Sequence, residues 1–168
     1  MTKKKLKIGW FSFTCCEDSS IMFTEMLNDY FFELKKLLNF RHAKILQNKN
    51  ELSNIDVAFV EGAIASKKDK KKLLKIREVA KYVVSIGSCA VTGMPSASRN
   101  NFDEKLKKEI APYLKQFVQT EKVYALHELI EVDDSVAGCP MIERKFLEIL
   151  EKYLKKFDVI SESDSIIK

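Results

Sequence analysis

Leu6-Lys7-Ile8-Gly9-Trp10-Phe11-Ser12-Phe13 runs into Thr14-Cys15-Cys16-Glu17, and the chain then takes up a helical period over residues 19–38. An apolar run of strand length, a polar break and an amphipathic helix are the first half of a βαβ unit. In that helical stretch Phe23, Leu27, Tyr30, Phe31, Leu34, Leu37 and Leu38 share one face. The same alternation continues downstream. Strands are expected over 41–46, 55–60, 82–86 and 122–126, and helices over 67–80, 103–116 (disturbed by Pro112) and 142–156. Strands alternating with helices imply a mostly parallel sheet covered on both faces. Five strands predict an α/β, flavodoxin-like parallel sheet with helices on both faces. In such sheets ligands bind beyond the carboxyl ends of the strands. The expected organisation is one domain over 1–157 and a polar, loose C-terminal tail over 158–168.

Composition narrows the class. The chain has 168 residues, 46% of them hydrophobic, enough for a sizeable core. No apolar run approaches the roughly 20 residues of a membrane span. Met1-Thr2-Lys3-Lys4-Lys5 leads straight into a strand without a cleavable apolar leader, so a cytoplasmic protein is expected. The net charge is +5 and is carried mostly by lysine, with a dense run over 67–75. Such a run reads as a solvated helix face. Arginine is scarce and no stacking or groove-reading motif is present, so no nucleic-acid partner is expected.

The four cysteines carry the chemistry. Cys15 and Cys16 are adjacent, Cys89 stands in Gly87-Ser88-Cys89-Ala90, and Cys139 in Gly138-Cys139-Pro140. Each follows a strand, and only folding can bring them together. In a reducing compartment grouped cysteines point to metal binding or catalysis rather than disulfides. Zinc sites draw paired ligands from spaced cysteines; adjacent ones would strain such a chelate. A cubane iron–sulfur cluster offers each thiolate its own iron, and four thiolates are its usual complement. Zinc and plain buried thiols remain alternatives at this point. Gly87 and Gly138 allow close backbone approach, Cys16 precedes a helix N-terminus that favours an anion, and Pro140 suits the first turn of the last helix.

Other polar residues have plainer readings. Thr14 and Glu17 have capping-box spacing. Glu61, in Val60-Glu61-Gly62-Ala63-Ile64, is read either as a helix cap or as an interface or cluster-side hydrogen bond. His42 and His127 read as surface or hydrogen-bonded histidines. No phosphate loop or nucleophile elbow occurs, and no catalytic residue is assigned.

Taken in order, Phe13-Thr14-Cys15-Cys16-Glu17, Val60-Glu61-Gly62-Ala63-Ile64, Gly87-Ser88-Cys89-Ala90-Val91-Thr92-Gly93-Met94-Pro95 and Gly138-Cys139-Pro140 resemble the small subunit of nickel–iron hydrogenases and the related 20 kDa subunit of respiratory complex I. The resemblance covers roughly residues 5–156. It implies a flavodoxin-like domain with one 4Fe–4S cluster held by Cys15, Cys16, Cys89 and Cys139. It further implies electron transfer between a nickel–iron hydrogenase large subunit, which holds the catalytic centre, and an acceptor subunit that is ferredoxin-like, flavin-containing or nicotinamide-linked. Hydrogenase small subunits commonly begin with C-x-x-C; the tandem Cys15-Cys16 is the complex I pattern, whereas Glu17 and the Val-Glu-Gly-Ala strand end look like the hydrogenase side. The cysteine-rich C-terminal extension of larger small subunits is missing, so a short, single-cluster form is expected. A complex I-type quinone-linked subunit and a zinc-stabilised, non-redox interaction module are the alternatives. Trp10, Met22 and Met94 are expected at the large-subunit interface.

Overall fold

The computed structural model describes residues 4–166. Its elements follow in the order β1 (Leu6–Ser12), α1 (Asp18–Asp29), α2 (Phe31–Leu37), β2 (Leu38–Ala43), β3 (Ile55–Glu61), α3 (Lys67–Val79), β4 (Ala80–Ile86), α4 (Gly87–Thr92), a 3₁₀ turn (Ser96–Asn101), α5 (Glu104–Gln116), a second 3₁₀ turn (Leu126–Glu128), β5 (Asp134–Val136) and α6 (Glu143–Lys156). All four strand pairings are parallel and the order is β2-β1-β3-β4-β5. This is the flavodoxin-like order.

Strand periodicity divides the core between the two faces of the sheet. Ile8 and Trp10 of β1, Val57 and Phe59 of β3, and Val84 and Ile86 of β4 point to one side, where Phe23 of α1 and Phe146 and Leu150 of α6 cover them. Phe11, Ala58, Val60 and Val83 point to the other, under Leu73 and Ile76 of α3. Alternation along a strand sends successive side chains to opposite faces, so a strand buried on both faces is apolar throughout. Every residue of β3 is buried. The lysines of 67–75 lie outward on α3, where Ser66 caps the helix by accepting the Asp69 N–H at 3.0 Å. Lys72 alone folds over the rings of Phe11 and Phe13.

Several expectations are corrected. The single helix over 19–38 is two helices broken at Tyr30, after Asn28 and Asp29, whose side chains compete with helical hydrogen bonding. The strand expected over 41–46 begins earlier, at Leu38, and ends at Ala43, whose N–H is taken by the Asn50 side chain at 2.7 Å. The segment 122–126 is not the fifth strand. Tyr124 instead pairs antiparallel with Ile64, N–H to carbonyl in both directions. The fifth strand is the three-residue Asp134-Ser135-Val136. Helix α6 starts at Glu143, so Pro140 lies in the preceding turn rather than in its first turn. Pro112 is accommodated inside α5.

The tail is docked rather than loose as far as Ile166. Glu151 of α6 accepts the Ile166 N–H at 3.0 Å and the Ser165 hydroxyl at 2.8 Å, while Val159, Ile160 and Ile166 pack on the core. Residues 1–3 and 167–168 of the expected domain and tail lie outside the described residues. Among the described residues no helix is long and apolar enough to cross a membrane. Helix α5 contributes no buried residue; Leu106, Tyr113 and Phe117 are exposed on it or at its end.

Candidate metal centre

One row across the sheet sets the site. Ser12 of β1 is in register with Glu61 of β3, Glu61 with Ile86 of β4, and Ile86 with Val136 of β5. Three residues beyond this row stand Cys15, Cys89 and Cys139, and Cys16 follows Cys15. Parallel pairing therefore delivers the four thiols to one end of the sheet, where all four line a single recess with Glu61 at its floor and Asp18 at its mouth. Cys89 is buried, Cys15 half-buried, and Cys16 and Cys139 exposed. The Sγ atoms of Cys16 and Cys139 and a carboxylate oxygen of Asp18 lie within 4.8 Å of one another.

Hydrogen bonds tie the cysteine loops together. Ser88 N–H donates to the Gly138 carbonyl at 2.7 Å, joining the Cys89 and Cys139 loops. Met141 N–H donates to Ser19 Oγ at 3.2 Å, joining the Cys139 loop to α1. The single Ser96 hydroxyl proton stands between two acceptors, the Thr14 carbonyl at 3.2 Å and Cys89 Sγ at 3.3 Å. Thr14 and Ala63 exchange backbone hydrogen bonds of 2.9 and 3.0 Å beside Cys15. Gly138 has φ +118°, and a Cβ there would sit 2.4 Å from the Pro140 carbonyl oxygen. Gly87 has φ +77°, and a Cβ would meet Ser19 Oγ at 2.9 Å. At Gly138 the turning backbone itself excludes a Cβ, and at Gly87 the positive φ and the Ser19 hydroxyl disfavour one.

Glu61 is 3% exposed. Its carboxylate accepts Ser19 N–H at 3.1 Å and the Ser20 hydroxyl at 2.6 Å, while Ser20 Oγ accepts the indole N–H of Trp10 at 2.7 Å. Of the two readings of Glu61, the helix cap is present, but the helix is α1, reached across the sheet. The Thr14–Glu17 capping box does not form: Glu17 holds the N-cap position in a left-handed conformation, φ 65°, without a side-chain cap. Burial, then the Glu61 carboxylate, pushes the Cys15 thiol up to about 12. A thiolate is favoured at Cys15 only when positive charge joins it, as a metal would supply.

The donor set is four thiols, and neither histidine lines the recess. His42 is buried against Phe11, 3.2 Å from the Trp10 carbonyl through Nδ1, and burial lowers its pKa. His127 is exposed in the second 3₁₀ turn. Four thiols at a pinched backbone, with the Asp18 carboxylate at the mouth, suit a thiophilic metal or an iron–sulfur cluster. Of the apolar residues expected at an interface, Met94 is 43% exposed, but Trp10 is 2% exposed and stacks on Phe23 at 4.1 Å. Trp10 is therefore a core residue; its strand position faces α1, not the loops. Met22 is partly buried against the same core. Sequence reasoning missed Asp18 and Ser96; an acid in the first turn of the helix after Cys16 was the available signal for Asp18, and none marked Ser96.

Residues 15–153 match the family model described as the NADH ubiquinone oxidoreductase 20 kDa subunit. The chain is 24% identical to the delta subunit of the NAD-reducing hydrogenase HoxS of Cupriavidus necator, over 94% of this chain and 83% of that one. It is 26% identical to a subunit of the F420-non-reducing hydrogenase of Methanothermobacter marburgensis, over 90% of this chain but 54% of that one. The chain thus spans about half the length of that relative. Its fold resembles a chain of the NAD⁺-reducing [NiFe]-hydrogenase in the H₂-reduced state, with a TM-score of 0.79 at 20% identity over 97% and 98% of the two chains.

Proposed function

Because this chain belongs to the family of the 20 kDa subunit of NADH ubiquinone oxidoreductase, we propose that it is the electron-transfer small subunit of a cytoplasmic nickel–iron hydrogenase. One 4Fe–4S cluster is held by Cys15, Cys16, Cys89 and Cys139. The observation that carries this reading is the gathering of all four thiols in one recess at the carboxyl ends of β1, β4 and β5, together with hydrogenase subunits among the relatives.

When bound, the cluster supplies one-electron storage. The rest falls to the protein's own residues. Cys89 and Cys15 bind from the inner side, and Cys16 and Cys139 from the solvent side. Glu61 fixes the start of α1 and so the Cys15-Cys16 loop. Ser96 donates to Cys89. Cys16 and Cys139, the exposed pair, would lie on the side where a partner can approach the cluster most closely. The catalytic nickel–iron centre belongs to a large-subunit partner, and a further ferredoxin-like, flavin or nicotinamide-linked subunit takes the electrons.

A second reading has a specific observation behind it. Tandem Cys15-Cys16 and the matching family description favour a complex I-type, quinone-linked subunit. One experiment separates these readings from a zinc module: metal analysis of the anaerobically purified native complex. About four irons and four sulfides per chain with nickel in the partner support the hydrogenase. Iron without nickel supports the complex I-type subunit. Stoichiometric zinc in a colourless protein would overturn both.

A further inference from the structure

The recess is one-sided in charge. Two of its lining residues are acids, Asp18 and Glu61, and among the described residues no lysine, arginine or histidine lines it. The chain as a whole is +5, so the basic surplus is elsewhere, as on the outer face of α3. Asp18 brings a carboxylate oxygen within 4.8 Å of the Cys16 and Cys139 sulfurs. Glu61 lines the same recess from its buried side. The start of α1 is divided: Ser19 N–H donates to Glu61, while the Glu17 and Asp18 backbone amides hydrogen-bond the Cys15 and Cys16 sulfurs.

Reduction adds one negative charge to a cluster already bound by four thiolates. Fixed negative charge next to the sulfurs opposes that step, and hydrogen bonds to sulfur assist it. The hydroxyl of Ser96 on Cys89 works in the assisting direction. With the Glu17 and Asp18 amides it makes three neutral donors set against two acidic side chains, and a charge a few ångströms from sulfur outweighs a single neutral hydrogen bond. We infer that Asp18 and Glu61 hold the cluster of this chain at a low reduction potential, so that its acceptor is a low-potential one-electron carrier of the ferredoxin class rather than a quinone. This rests on the iron–sulfur reading of the four cysteines. Asp18 acts through the cluster's electrostatics and is a positioning residue, not a catalytic one.

The test is an EPR-monitored redox titration of the full chain, loaded anaerobically with iron and sulfide. Asp18→Asn removes the charge and keeps the shape. Its reduction equilibrium is expected to shift three- to tenfold toward the reduced form, a rise of about 28 to 59 mV at 59 mV per tenfold for one electron. The shift shrinks as salt rises, because Asp18 is exposed. Asp18→Glu restores the charge and returns the potential. Glu61→Gln, which keeps an acceptor oxygen for α1, moves it in the same direction as Asp18→Asn. Failure modes are distinct. A wild-type chain that takes up no iron overturns the iron–sulfur reading and this inference with it. A chain that holds four irons, but whose potential is unmoved in Asp18→Asn or not restored in Asp18→Glu, overturns this inference alone. So does a loaded wild-type cluster that cannot reduce a plant-type ferredoxin.

Discussion

Glu61 at the end of β3 accepts a 2.6 Å hydrogen bond from the hydroxyl of Ser20 in α1. A buried acid on one element thereby fixes the first turn of another, and the Cys15-Cys16 loop between them inherits that constraint. Removing the carboxylate leaves Ser19 N–H and Ser20 Oγ–H buried without that acceptor. Glu61→Ala is expected to cost about 1–3 kcal/mol of folding stability, and Glu61→Gln less, since one acceptor oxygen remains. Urea unfolding of the two variants checks the order; equal losses would show that the acceptor oxygen kept by glutamine contributes nothing.

Gly138 combines a left-handed φ with a Cβ site 2.4 Å from the Pro140 carbonyl oxygen. Gly138→Ala is expected to lose about 1–3 kcal/mol from backbone strain and to lower metal uptake by displacing Cys139. Thermal unfolding and metal stoichiometry test this together. Full stoichiometry at wild-type stability would contradict the tight-turn account.

Ser96 places its hydroxyl 3.3 Å from the Cys89 sulfur, as a donor. Ser96→Ala is expected to lower the potential of a bound cluster by less than the equivalent of tenfold in its reduction equilibrium, because a donor to sulfur stabilises the reduced state. The direction is opposite to that expected for removing a neighbouring carboxylate. A rise in potential would refute the assigned role.

Trp10 and Met94 should part company under the same substitution. Met94→Glu, at an exposed site, is expected to change folding stability by no more than about 0.5 kcal/mol and to weaken capture of a large-subunit partner. Trp10→Glu places a charge among Phe23, Phe59 and Phe146 and should prevent folding. Circular dichroism and co-purification read the two effects. Normal folding of Trp10→Glu would place the indole outside the core.

Glu151 is held well below its ordinary 4.5, at about 2, chiefly by the hydrogen bond from Lys155, with Ser165 and Ile166 adding theirs. A carboxylate depressed on folding contributes stability above its unfolded pKa and loses it as pH falls through the folded one. Docking of the segment that ends at Ile166 is therefore expected to be complete above pH 4.5 and released on approach to pH 2. Amide exchange at Ile166 follows this, and Glu151→Gln should show fast exchange already at neutral pH. Slow exchange in that variant would mean that apolar packing alone holds the segment.

Much of the architecture was legible because buried parallel strands are apolar throughout, as β3 and the second half of β4 are nearly so. The fifth strand was not legible. Asp134-Ser135-Val136 has no periodicity to display, and its position depends on pairing with Val84, Ser85 and Ile86. The Lys122–Leu126 segment carried the apolar pattern instead, yet its hydrogen bonds go to Ile64 and Asn100. The break at Tyr30 was obscured by an apolar face that continues through it. At the site, the cysteines were visible as residue types placed after strands. Their convergence, and the reach of Glu61 to α1, are tertiary facts that no local window contains. Trp10 was misread because nearness to Cys15 in sequence does not say which face of β1 a side chain takes.

The common register of Ser12, Glu61, Ile86 and Val136 also bears on the timing of biosynthesis. Cys15 and Cys16 leave the ribosome well before Cys139, so no translation product that stops short of Cys139 possesses the complete set. A zinc finger gathers its ligands from one short stretch and can take metal as it emerges. Here the proposed ligands are separated by whole crossovers, whose closure is the slow part of folding a parallel sheet. On the proposed ligand set, metal delivery would wait for a chain that has already sorted its strands, and full occupancy would certify that the sorting was correct.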